Sequence, residues 1–138
     1  MKQFMSIRSQ HEDVSAVIDD TLRQLADIPP GANFGFIYVT DAMADEFGSL
    51  LRQCKSLTGI RQWTGTVGLG IISDDVELYE QPAASIMLAH FPEQSFAMLP
   101  LISEAKDLDG LPPALQTFST SFALIHGDPL NPETQQLI

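Results

Sequence analysis

Three stretches of the 138-residue chain hold residue types capable of chemistry. They are Arg61 with the glycines of "QWTGTVGLGII" (Gln62–Ile72), the "HGD" of His126 to Asp128, and the single cysteine, Cys54. Glycine-rich turns bind phosphate through exposed backbone N–H groups, so the spacing of Gly65, Gly68 and Gly70 is the first test. A dinucleotide fingerprint is G-x-G-x-x-G between a strand and a helix, with an acid about 20 residues later. Here the order is G-x-x-G-x-G, the continuation "LGIIS" is strand-like, and no Gly-Lys-Ser/Thr follows. Nucleotide binding is therefore not supported, and two readings stay open. The glycines let a neighbouring backbone come close, or the N–H groups from Gly65 to Gly68, with the hydroxyls of Thr64 and Thr66, contact a small ligand. Arg61 has the fork geometry to hold a carboxylate, as an amino-acid ligand requires, although an ion pair with a local acid is its commoner fate.

"HGD" follows the apolar run "SFALI". Ligands in open α/β sheets sit beyond the carboxyl ends of strands, so His126 and Asp128 are candidates to line a pocket or form an acid/base pair. The structural alternative is a turn in which Asp128 bonds to nearby backbone and Pro129 stiffens the exit. Metal binding would need more ligands, and His11 and His90 fall on separate predicted elements. Neither a G-x-S-x-G nor a D-x-D-x-D-G pattern occurs, so hydrolase and calcium-loop chemistry lack a signature. Cys54 lies on the apolar stripe of a predicted helix, which favours packing over nucleophilic catalysis. A lone Trp63 beside a buried strand reads as core before it reads as a ligand stack. No cofactor and no enzymatic reaction are expected.

The elements that must position these residues follow from periodicity. "FMSIRS" predicts a short first strand, and Ser9 with Glu12 forms S-x-x-E, a capping-box signature for a helix carrying Val14, Val17, Ile18, Leu22 and Leu25. That helix should stop by Ile28, before Pro29. "FGFIYVT" (Phe34–Thr40) is apolar on both alternating faces, the composition of a doubly buried strand. Asp41 then caps a second helix with Met43, Phe47, Leu50, Leu51, Cys54 and Leu57 on one stripe, ending near Gly59. After Gly59, "IRQWTGTVGLGII", "VELYEQ" and "AASIMLAHF" are short runs broken by turn residues. The expected fold is α/β: a mixed sheet with a βαβα start, then an antiparallel meander, helices packed on the sheet. Residues 103–113 read as a polar loop, "SFALIHGDP" as a further strand, and "TQQLI" as a helix opened by Pro132 and Glu133.

The length fits one domain over residues 1–138. Two readings of residues 121–138 remain open: a short docked helix, or the start of a C-terminal module in a longer protein. Seven Lys and Arg against 18 Asp and Glu leave a formal charge of −11, which repels nucleic acid and anionic membranes. The scattered acids read mainly as solvated helix starts and turns. No signal-peptide core and no membrane-length apolar run is present, so a cytoplasmic location is expected.

The order "FGFIYVTDAMADEFGSLLRQCKSLTGI", "WTGTVGLGI", "ELYEQPAASIMLAHFP" and "FALIHGDPLNP" resembles the N-terminal part of the FIST family, the sensory module named for F-box and intracellular signal transduction proteins. The resemblance covers roughly residues 3 to 131 and rests on the order and character of several segments. It implies a sensor that binds small ligands, with amino acids suggested, and that works with a C-terminal companion module or a signalling partner. Members carry a Gly-Cys/Ser-Thr turn followed by glycine where this chain has Gly65-Thr66-Val67-Gly68. The resemblance supplies no catalytic residues. The expected ligand-contacting set is Arg61, Thr64, Gly65, Thr66, Gly68, His126 and Asp128.

Overall fold

The strand "FGFIYVT" lies inside a mixed sheet because both of its faces are apolar. In the computed structural model, which describes residues 4–27, 31–99, 101–104, 106–107, 122–132 and 134, the first strand is β1 (Phe4–Gln10). It leads to α1 (Val14–Leu25), β2 (Phe34–Thr40), a 3-10 turn (Asp41–Glu46) and α2 (Phe47–Thr58). There follow β3 (Gln62–Gly68), β4 (Gly70–Ser73), β5 (Val76–Tyr79) and β6 (Ala83–Ala89). A four-stranded sheet has the order β1-β6-β2-β3, and β4 and β5 form a separate two-stranded sheet. The chain divides into two compact units, Met1–Pro92 and Glu93–Ile138. The first unit contains all of these elements.

The mixed α/β architecture and the βαβα start are present, with two refinements. The neighbouring parallel pair is β2 and β3, while β6 runs antiparallel between β1 and β2. "QWTGTVGLGII" also divides at Leu69. Its first part is an edge strand of the large sheet, and its second part turns away to pair antiparallel with β5.

Two local expectations need correction. Ser9 does not cap a helix, because it remains in the β1 ladder opposite Ala84 and is buried. α1 starts later, with extended Asp13 at its N-cap and no side-chain cap bond. Ladder pairing satisfies Ser9's backbone better than a local box could. The segment Phe122–Gly127 forms no strand among the described residues, and its side chains are exposed. Apolar, β-favouring composition does not make a strand without a ladder partner. Apart from Thr134, the predicted "TQQLI" helix lies outside the described residues, as does most of the 103–113 loop.

α2 ends as its sequence predicts. Gly59 takes the left-handed conformation (φ 69°) and its N–H donates to the Lys55 carbonyl at 3.0 Å. Both helices cover one face of the sheet. Val17, Leu25, Ile37, Val39, Met43, Leu50, Cys54, Ile60, Trp63, Ala84, Ile86 and Leu88 form the buried core there. One polar contact ties α1 to β1, Gln24 donating to the Arg8 carbonyl, while within α1 Gln24 also donates to Asp20 and Arg23 pairs with Asp20. The Asp20 carboxyl is held below its ordinary range, first by the nearby Ser9 hydroxyl, with burial opposing and His11, Arg23 and Gln24 assisting.

The β2–β3 register depends on two glycines. Trp63 lies opposite Gly35, where an added Cβ would come within 2.4 Å of the indole. Gly65 lies opposite Ile37, where an added Cβ would sit 1.7 Å from the Ile37 carbonyl oxygen. Gly65→Ala is therefore expected to destabilise the fold by about 1–3 kcal/mol or more through overpacking. Gly48→Ala is the control: Gly48 is exposed on α2, and an added Cβ would meet only the Arg52 side chain, at 3.5 Å. It should be neutral or gain roughly 0.5–1 kcal/mol. Urea denaturation of the two variants checks the contrast, and a Gly65→Ala protein as stable as the parent contradicts it.

Candidate functional site

The sheet face away from the helices is where side chains of β3 meet those of β2 and β6. Strand alternation and register arrange that face in four rows. The rows are Phe4–Ala89–Phe34–Gln62, Ser6–Met87–Phe36–Thr64 and Arg8–Ser85–Tyr38–Thr66, and a last one in which the pairs Gln10–Ala83 and Thr40–Gly68 are joined by the Ala83 N–H donating to Thr40 Oγ1.

Each end of this face has its own cover. At the first row Phe91 packs edge-on against Phe4 and Phe34, with ring centroids 6.0 and 5.5 Å apart, and reaches Phe36 at 6.4 Å. Asn33 fixes that corner through paired bonds with the Phe91 backbone at 2.8 and 2.9 Å. At the far rows the β4–β5 hairpin lies over Tyr38 and Ala83 with Ile71, Leu78 and Val76. Ser85 Oγ donates to Ser73 Oγ at 2.9 Å, and Arg8 donates to the Ser73 carbonyl at 3.4 Å. Thr40 Oγ1 donates to the Gln81 carbonyl at 2.8 Å and accepts from Ala83 N–H at 3.0 Å, closing the hairpin's return. Burial pushes the Tyr38 phenol pKa up, so its hydroxyl stays protonated.

The second row lies between these two covers. Phe36 and Met87 are half-buried there, flanked by exposed Ser6 and half-buried Thr64. An apolar floor with hydroxyls at both margins has the composition of a small-molecule contact surface.

The sequence-derived site residues fall in four places. Thr64, Thr66 and Gly68 share the helix-free face, and Thr66 Oγ1 donates to the Val67 carbonyl at 3.2 Å. Gly65 faces the opposite way, against Ile37. Arg61 is exposed just before β3, about 10 Å along the strand from Thr64 and about 16 Å from Thr66. His126 and Asp128 belong to the second unit. There Asp128 Oδ1 accepts the Leu130 N–H at 2.9 Å, and its carbonyl accepts from Asn131 N–H and the Thr134 hydroxyl at 3.1 and 2.8 Å. That is the backbone-bonding turn which the residue types permit.

Ser6, Phe36, Met87 and Phe91 are the surface residues that motif reasoning missed. Their signal was the alternation in "FGFIYVT", which puts Phe34, Phe36 and Tyr38 on one side and Gly35, Ile37 and Val39 on the other. Trp63 is core: its ring covers Gly35 and its indole N–H donates to the Ile60 carbonyl at 2.8 Å. No group of three or more His, Cys, Asp or Glu side chains suited to a metal occurs among the described residues, and no helix described is long and apolar enough to cross a membrane.

None of the family models, curated proteins or solved structures compared with this chain matches it.

Cys54 is fully buried, and burial pushes its thiol pKa up to about 12. At pH 8 that leaves roughly one thiolate in ten thousand. Thiol-reagent labelling of the folded protein at pH 8 is expected to be negligible, with one thiol released on denaturation. Rapid labelling under native conditions contradicts this placement.

Proposed function

We propose that this chain is a non-catalytic sensory module of the FIST type, acting in intracellular signal transduction. It binds a small, partly apolar metabolite, an amino acid being the suggested class, on the helix-free sheet face. One observation carries the reading: β2 is apolar on both faces, yet Phe36 is only half-buried on the helix-free side, beside half-buried Met87 and the hydroxyl-bearing Ser6 and Thr64. A ligand with a hydrophobic side chain covers Phe36 and Met87, and its polar end meets Thr64. Arg61 supplies the cation for a carboxylate, because the guanidinium arm and the ligand together span the distance from the strand end. The FIST resemblance agrees with this assignment and adds a companion module as the receiver of the signal.

Thermal-shift screening of the intact protein against amino acids and small metabolites tests the proposal. A ligand at about 100 times its Kd should add about 2.7 kcal/mol of stability and raise Tm. Thr64→Val and Met87→Glu should abolish the shift, and Arg61→Gln should weaken it for ligands that carry a carboxylate. A blank screen, or a shift that survives Thr64→Val and Met87→Glu, counts against the reading.

A further inference from the structure

The β4–β5 hairpin buries one face and presents the other. Ile71, Ser73, Val76 and Leu78 point toward the large sheet, where Ile71, Ser73 and Leu78 are buried. Alternation puts Gly70, Ile72, Glu77 and Tyr79 on the outward face. There Ile72 is 71% exposed and Tyr79 is 55% exposed, and Leu69 at the bend is 84% exposed. Ile72 lies opposite Glu77 and diagonal to Tyr79, a spacing at which an aromatic ring and a branched side chain form one surface.

Acids frame this apolar strip. Asp74 and Asp75 form the tip, Glu77 lies within the face and Glu80 follows Tyr79. From Leu69 to Glu80 the chain has four acids and no Lys or Arg. None of the four carboxylates makes an ion pair or hydrogen bond among the described residues. Two of them also occupy left-handed backbone, Asp74 at φ 55° and Glu80 at φ 60°, where glycine would fit at less cost. Turn geometry accounts for Asp74, a residue type that tolerates left-handed backbone, but not for Glu80.

We propose that the outward face of this hairpin is a docking surface for a protein partner that presents a basic amphipathic segment, apolar side chains flanked by Lys or Arg. Charge complementarity selects that occupant. A second copy of the chain would bring one acidic frame against another, and nucleic acid or an anionic membrane would be repelled. The apolar centre provides area removed from water, and the acidic frame provides orientation and rate. The surface is separate from the second-row ligand face and does not depend on it.

The test titrates the full chain with a fluorescent Leu/Lys amphipathic peptide, using a Leu/Glu peptide of equal length as control, at low and physiological salt. The expected result is binding of the Leu/Lys peptide alone, weakened by salt. The double variant Ile72→Ser/Tyr79→Ser should lose about tenfold or more in affinity. Asp75→Asn/Glu77→Gln should lower affinity and flatten the salt dependence. Glu12→Gln/Asp13→Asn, which removes equal charge elsewhere, should change little. Circular dichroism establishes that each variant is folded. Absent binding, affinity unchanged in Ile72→Ser/Tyr79→Ser, or equal loss in Glu12→Gln/Asp13→Asn overturns the proposal. Self-association abolished by Ile72→Ser/Tyr79→Ser also overturns it, by making a second copy the occupant.

Discussion

The first unit depends on a size exchange between two parallel strands. On the helix side of the sheet, Trp63 of β3 rests on Gly35 of β2, and Ile37 of β2 faces Gly65 of β3. Large meets small at both positions, and a slipped register would set Trp63 against a side chain instead of a glycine. Packing dominates the energetics. Burying an indole of about 150–250 Å² is worth roughly 4–6 kcal/mol at most, whereas its hydrogen bond to Ile60 adds about 1 kcal/mol. With that register set, Thr64 falls beside Phe36, and the helices receive a continuous apolar surface of Ile37, Val39, Ile86 and Leu88.

The two sides of β2 have different covers. On one side α1 and α2 complete a dense core. On the other, Phe91 closes one end with aromatic contacts and the β4–β5 hairpin closes the other. The hairpin's attachment is both apolar and polar: Ile71 and Leu78 fill space over Ala83 and Tyr38, while Arg8, Ser73 and Ser85 fix the lateral position. A two-stranded ribbon is marginal alone, so this anchorage is what allows its outward face to carry Ile72 and Tyr79 into solvent.

Much of the first unit was legible because its signals are local. β1, α1, β2 and α2 follow from alternation, helical stripes and the Gly59 cap, and Cys54 is buried where its stripe places it. The insertion of β6 between β1 and β2 was not legible, since strand neighbours are chosen by packing between distant segments. Ser9 misled for the same reason: S-x-x-E describes a local cap, but a ladder partner from 75 residues later, Ala84, held Ser9 in the strand. In the glycine segment the nucleotide patterns failed on spacing alone. Which glycine packs against a neighbouring backbone and which threonines share a face required the β2–β3 register. Phe36 and Met87 carry no chemical motif, so only the uneven cover of the sheet draws them into a candidate surface.

The central claim is that the second row of the helix-free face contacts a small metabolite. Amide and methyl chemical shifts of the intact protein, recorded with and without a ligand that stabilises it, test this most directly. The account predicts perturbations concentrated at Ser6, Phe36, Thr64 and Met87, with Arg61 responding to carboxylate ligands. Perturbations that bypass these residues and gather at His126 and Asp128 would contradict it.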